Sequence, residues 1–294
     1  MQEPFNIDNQ AVAKALEAAA KSYEEGAEIP HVIADRLLER LDLIRLNPLL
    51  VLDFGARTGY TTNGLLKHYE KADIISLDFS VSLLNRAKGS FLGNPHKMLV
   101  AEYTLMPFAD QSVDLIFSNL TFQWSLNLLQ TLQECRRILR PGGLLLFSTV
   151  GPDTLKELRV SFSDEKRHVH SFYDMHDIGD MLTYLNFIHP VMDMDYLTVR
   201  YSSVLRLIAD LKAIGAHNAA QDRSRGLMGK NEWQQMLNTY ETWRDESRSV
   251  PVTIEVIYSH AFGSGVISPQ TDNQEKEILI PVSHIKQRSN NEKN

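Results

Sequence analysis

Short apolar runs alternate with stretches of helical period between positions 49 and 150. Leu49-Leu50-Val51-Leu52 ends in Asp53 and breaks at Gly55 and Gly59; Ala72 to Leu77 ends in Asp78; Lys97 to Ala101 ends in Glu102; Leu115-Ile116-Phe117 and Leu144-Leu145-Leu146-Phe147 follow. Continuous apolar runs of this length mark strands buried on both faces. Strands separated by helical stretches need crossover connections, which are right-handed. The pattern predicts an α/β fold with a doubly wound parallel sheet and a ligand at the carboxyl ends of its strands.

Helical spacing also precedes the sheet, in Val12, Leu16, Ala19, Ala20 and Tyr23 and again in Ile33, Leu37, Leu38 and Leu41, predicting an N-terminal helical cap over about 8–46. Beyond the fifth strand, Met175 to Leu185 reads as a helix and Pro190 to Arg200 as an alternating strand. Val204, Ile208 and Leu211 share one helical face, Asn231 to Ser247 forms a second helical stretch, and strand pattern returns at Val252 to Tyr258. The helical insertion over about 200–250 is a candidate lid or substrate platform. Residues 1–263 read as a single domain around a core at about 47–150. Residues 264–294 read as a polar tail with one apolar patch, Ile278 to Val282, and a disordered last ten residues.

Composition narrows the class. A chain of 294 residues, 43% hydrophobic, can bury a full core. Its one cysteine, Cys135, permits no intrachain disulfide and fits a reducing compartment. No apolar run approaches a membrane span, and Met1 to Asn6 lacks the regions of a signal peptide, so the expected location is cytoplasmic. A net charge of −7 argues against nucleic acid as a partner. Basic clusters at Arg136, Arg137 and Arg140, at Lys166, Arg167 and His168, and at Arg223, Arg225 and Lys230 read as solvated faces. His168, His170, Asp174, His176 and Asp177 fall within a short span, but a metal site is rejected, because the i, i+2 histidines sit in a loop and His176 belongs to a helix start.

The glycine turn after the first strand is D-x-G-x-x-T-G, from Asp53 to Gly59, and lacks the G-x-G-x-x-G order of dinucleotide folds. It resembles motif I of the class I methyltransferases that bind S-adenosylmethionine. The stretch Met106 to Asn119 and the run Leu139-Arg140-Pro141-Gly142-Gly143 resemble later motifs of the same superfamily. The resemblance implies a seven-stranded, Rossmann-like sheet. It implies a cofactor site of Asp53, Gly55, Ala56 and Gly59 in the loop, Asp78 on the ribose with Phe79 beside it, Glu102 and Tyr103 at the adenine, and Asn119 and Leu120 flanking the methionyl part. Arg57 departs from the motif, standing where its second glycine is usual. It could face solvent, reach the cofactor carboxylate, or mark a degenerate loop in a noncatalytic binding module.

The second half is more specific. Gly151 to Arg159, Asp174 to Asp180, Pro190-Val191-Met192-Asp193 and Asp210 to Asn218 resemble the malonyl-[acyl-carrier protein] O-methyltransferases of biotin synthesis, the BioC family, over about Val12 to Phe262. That resemblance implies methyl transfer to the free carboxylate of malonyl-acyl carrier protein or malonyl-CoA. A carboxylate is already ionised at pH 7, so positioning replaces acid and base catalysis. Tyr23, Gln123 and Trp124 are candidates for the substrate pocket, with Arg200 and Arg206 as candidate partners for the carboxylate, and Arg223, Arg225 and Lys230 as a dock for an acidic carrier. A rival resemblance, to the mitochondrial complex I assembly factor and its bacterial relatives, shares the G-x-D-T-L-x-E-L-R run and would make the protein an arginine hydroxylase.

Overall fold

Seven strands, β1 (Leu50–Phe54), β2 (Asp73–Asp78), β3 (Lys97–Val100), β4 (Val113–Asn119), β5 (Leu139–Val150), β6 (Ile188–Tyr201) and β7 (Val250–Phe262), form one sheet in the order β3-β2-β1-β4-β5-β7-β6. The computed structural model describes residues 7–89, 97–164, 166–224, 226 and 228–265. Met1 to Asn6, Arg225, the Ile278 to Val282 patch and the last ten residues lie outside them. β1 to β5 are parallel, as the crossover pattern requires. β7 enters antiparallel between β5 and β6, so the whole sheet is mixed.

Among the described residues, three α-helices precede the sheet: α1 (Asn9–Ala19), α2 (Tyr23–Gly26) and α3 (Glu28–Glu39). α4 (Tyr60–His68) follows β1, α5 (Val81–Lys88) follows β2 and α6 (Leu128–Ile138) joins β4 to β5. α7 (Lys156–Val160) and α8 (Met175–Tyr184) come before β6, and α9 (Val204–Ala213) and α10 (Lys230–Glu241) fill the insertion before β7. Asp8, Ser80, Asn127, Asp174 and Ser203 each accept a first-turn N–H and fix where a helix begins.

Alternate residues of β4 feed opposite faces of the sheet. Leu115 and Phe117 pack with Ile33, Leu37 and Tyr240, whereas Ile116 packs with Leu132, Phe147 and Leu182. Val12, Leu16 and Tyr23 form a smaller cluster with Leu83 and Ala219, which seats the N-terminal helices over the carboxyl ends of the strands. The insertion closes on the same cap. A Cβ on Gly26 would lie 2.6 Å from the Asp210 carbonyl oxygen, so only glycine lets α2 approach α9 this closely.

Several boundaries differ from the sequence reading. The first helical stretch breaks after Ala19, and Ser22 Oγ donates to the Ala213 carbonyl at 3.1 Å, tying the break to α9. β3 stops at Val100, short of Glu102, and α10 ends at Glu241. The Arg140 to Gly143 turn is absorbed into β5 as an irregularity, because Gly142 N–H donates to the Gly263 carbonyl at 2.8 Å and Gly263 N–H to the Gly143 carbonyl at 2.9 Å, extending β7 as well.

Candidate active site

The strand order reverses between β1 and β4, which opens a crevice at their carboxyl ends. Gly55 (φ 82°) and Gly59 (φ 89°) lie in the left-handed region and carry the chain from β1 into α4. The N–H groups of Gly55 and Ala56 both donate to the Leu77 carbonyl, at 2.7 and 3.1 Å. Beneath the loop Asp53 is fully buried, its carboxylate accepting from Thr61 Oγ1 at 2.8 Å and Thr62 Oγ1 at 2.5 Å. Burial raises its pKa to about 7, against the opposing hydroxyl bonds. Its carboxylate therefore sets the loop from below.

Asp78 is also fully buried at the end of β2. One of its oxygens accepts Ser80 N–H at 2.9 Å and the other accepts the backbone N–H of Arg57 at 3.1 Å. The Arg57 side chain turns inward, with Nη1 3.6 Å from the same oxygen. Burial is the largest influence and works against the guanidinium charge, but the Asp78 carboxylate together with the Tyr103 and Tyr23 phenols outweighs it and the net shift is upward. The solvent-facing alternative for Arg57 is excluded, since the residue is 7% exposed.

Two spaces flank Trp124, which lines both, and one of them reaches the loop at Arg57. On the β2–β3 side, a cleft of about 520 Å³ is lined by Phe79, Ala101, Glu102, Tyr103 and α1 residues. Phe79 and Tyr103 meet edge to face at 5.1 Å, and Glu102 is exposed beside them. On the other side a cavity of about 150 Å³ lies under α2, α3 and α9, lined by Tyr23, Arg57, Leu120, Gln123 and His170 among others. Its walls are mostly apolar, and burial raises the Tyr23 phenol to about 12, so it stays protonated. Asn119 braces the roof, donating to the Pro30 carbonyl at 3.0 Å and accepting from Ser148 Oγ at 2.7 Å.

A methyltransferase domain model matches residues 52–147, the segment that builds this crevice. The chain is 60% identical over 285 residues to malonyl-[acyl-carrier protein] O-methyltransferase 1 of Coxiella burnetii, covering 97% of this chain and 98% of the relative. It is 43% identical to the malonyl-[acyl-carrier protein] O-methyltransferase of Gallionella capsiferriformans, covering 88% and 92%. The chain belongs to the malonyl-[acyl-carrier protein] O-methyltransferase family. It is a class I methyltransferase, and a methyl donor of the S-adenosylmethionine type follows. The fold is also that of the YcgJ protein from Bacillus subtilis, with a TM-score of 0.58 at 14% identity, covering 79% of this chain and all of that one.

In this methyltransferase the two arginines expected at the acceptor lie elsewhere. Arg200 is exposed on the edge strand β6 and pairs with Asp245. Arg206 is exposed on α9, 3.1 Å from Asp210 one turn on. Neither lines the cavity. Arg223 bonds Asp8 at 2.9 Å and the Ala220 carbonyl at 2.8 Å, so it fastens the N-terminal segment instead of standing ready for a carrier. Among the histidines, His168 meets Asp164 at 2.7 Å and His176 meets Asp174 at 2.7 Å. His170 points into the cavity between Trp124 and Phe172, with ring centroids at 5.2 and 4.6 Å. Its Nε2 finds no hydrogen-bond partner among the described residues, and burial lowers its pKa to about 4. In the sequence His170 stands out only as part of the rejected metal cluster, and its aromatic neighbour Phe172 is the available signal of burial.

Proposed function

We propose that this enzyme transfers the sulfonium methyl of S-adenosylmethionine to the free carboxylate of a malonyl thioester on acyl-carrier protein, opening pimeloyl synthesis for biotin. The observation that carries the reading is the position of Trp124 between a cleft lined by Phe79, Glu102 and Tyr103 and a mostly apolar cavity that Arg57 lines. The first suits an adenosine and the second a small acceptor. Bound across the two, the donor supplies a methyl cation equivalent: the methyl–sulfur bond breaks toward sulfur as a bond to a carboxylate oxygen forms.

The residues fit that donor. Asp78 receives the ribose hydroxyls, Phe79 and Tyr103 flank the adenine, and Glu102 accepts from its amino group. Gly55, Ala56 and Gly59 give the close backbone approach, Asp53 holds them through Thr61 and Thr62, and Asn119 and Leu120 border the methionyl chain. No general base is required for an ionised carboxylate. Tyr23, Gln123 and Trp124 exclude water and align the acceptor. His170, neutral at pH 7, offers hydrogen bonding without a full positive charge that would over-stabilise the ground-state carboxylate.

The acceptor arm enters beside His168 and Val169, which the cavity shares with a surface cleft lined by Arg159, Lys166, Arg167 and Asp222, where the exposed ion pairs of Lys166 with Asp164 and Glu232 and of Arg167 with Asp222 exchange for carboxylates of the carrier. An acidic carrier docks there, while coenzyme A presents the same phosphopantetheine arm. Charge reversal in a K166E/R167E variant raises KM for malonyl-acyl carrier protein and leaves that for malonyl-CoA unchanged. The deciding experiment is transfer of labelled methyl from S-adenosylmethionine to malonyl-acyl carrier protein, with acetyl-acyl carrier protein as control. Label on the malonyl form alone supports carboxyl methylation; label on both, or on neither, refutes it.

A further inference from the structure

Arg57 occupies a backbone position made for glycine. Its φ of 52° lies in the left-handed region, where a Cβ is disfavoured, yet the loop keeps a long cationic side chain there. The guanidinium is buried against the cavity, where Nη1 finds no hydrogen-bond partner among the described residues and stands 3.6 Å from Asp78 Oδ2. A buried cation is stable only when both its charge and its N–H groups are satisfied. Here the charge is balanced at a distance and the Nη1 donors are not used. Asp78 does not complete the set: its oxygens accept from Ser80 N–H and Arg57 N–H, and Nη1 stays beyond hydrogen-bond distance at 3.6 Å, which leaves each oxygen a lone pair for a further donor.

The same carboxylate is the one assigned to the ribose. A donor entering the crevice therefore competes with Arg57 for Asp78, and the guanidinium needs another anion if it is to stay buried. S-adenosylmethionine carries a single carboxylate, at the end of its methionyl chain. Arg57 lines the cavity on the methionyl side together with Leu120 and Gln123, and a guanidinium matches a carboxylate in a two-point hydrogen bond.

We propose that Arg57 is an exchange ligand, leaning on Asp78 before the donor binds and taking the donor's α-carboxylate afterwards, which frees Asp78 for the ribose hydroxyls. This rests on the methyl-donor reading above and makes the loop selective for ligands that retain the amino-acid end. The loop's departure from the glycine pattern then adds a contact to the site and does not disable it.

The test is calorimetric titration of the full-length protein with S-adenosylhomocysteine and with 5′-methylthioadenosine, which keeps the adenosine and sulfur but lacks the carboxylate. R57Q is expected to bind S-adenosylhomocysteine roughly tenfold to a hundredfold more weakly, the worth of a charged hydrogen bond. Its affinity for 5′-methylthioadenosine should stay equal or rise. R57G, whose backbone suits the loop without strain, should show the same selectivity and guards against a folding defect. Equal losses for the two ligands, or no loss for either, would overturn the proposal. If the wild-type protein binds neither ligand, the methyl-donor reading itself fails.

Discussion

Replacing Asp53 by asparagine should make the protein more stable at pH 8 and less stable at pH 4. The carboxylate is fully buried, and its pKa is raised to about 7 from an ordinary value near 3.8. For an acid the sign follows directly: between those two values the unfolded chain has lost the proton and the folded one still holds it. The stabilisation is complete below about pH 4 and is lost as pH rises through about 7. Some three pKa units correspond to about 4 kcal/mol of pH-dependent destabilisation. The D53N variant does not ionise, and its amide replaces one of the acceptors used by Thr61 and Thr62, at a cost of about 1 kcal/mol. The net expectation is a gain of about 3 kcal/mol at pH 8 and a deficit of about 1 kcal/mol at pH 4, read by urea unfolding with tryptophan fluorescence. His170 acts in the opposite sense, since its folded pKa is depressed to about 4 by burial and its contribution is lost as pH falls from about 6.5 through 4. That background is common to both proteins and cancels in their difference. Parallel stability profiles for the two would refute the reasoning.

Removing the Glu157 carboxylate in E157A strands the Thr253 N–H, which it accepts at 3.0 Å, and the Thr253 hydroxyl; urea midpoints should report a loss of about 2–4 kcal/mol. Gly55→Ala puts a methyl 2.6 Å from Thr121 Cγ2 at a φ of 82°, so S-adenosylhomocysteine should bind at least tenfold more weakly by calorimetry, and unchanged affinity would show the loop to be more pliant than its geometry implies. R200A and R206A remove exposed ion pairs outside the cavity and should leave kcat/KM for the malonyl substrate within about twofold, with stability changed by no more than about 1 kcal/mol.

The cofactor half was legible because its signals are local. A strand end, a glycine turn and an acid about twenty residues on are read from consecutive residues, and the parallel β1–β2 register, which pairs Asp53 with Ser76 and Phe54 with Leu77, brings Asp78 level with the glycine turn. The acceptor side was not, because the direction of Arg200 and Arg206 depends on Asp245 and Asp210, and the placement of His170 depends on a loop with no periodicity. The recognisable run from Gly151 to Arg159 has a structural explanation. Thr154 Oγ1 donates to the Glu255 carbonyl at 3.1 Å and Leu155 N–H to the Thr253 carbonyl at 2.8 Å, so this run and the Val250–Phe262 strand answer each other across the fold. Likewise Asp193, part of another recognisable run, is held by Arg40 at 2.7 Å, and the same guanidinium lies 3.8 Å over the Tyr258 ring.

The clasp between the first cap residues and the insertion bears on how the enzyme is made. Ile7 bridges Ala220, Asp8 N–H donates to the Ala219 carbonyl at 2.7 Å, and Arg223 bonds the Asp8 carboxylate. Residues at the start of the cap thus wait for partners made more than two hundred positions later. At typical rates of synthesis that is a delay of roughly ten to forty seconds. Through that interval Val12, Leu16 and Tyr23 have no insertion to pack beneath, and the nascent methyltransferase carries an open cavity and an apolar cap face. Pulse-labelled hydrogen exchange on stalled chains should therefore find α1 unprotected until the insertion has emerged, whereas early protection would mean that the cap docks on the sheet alone.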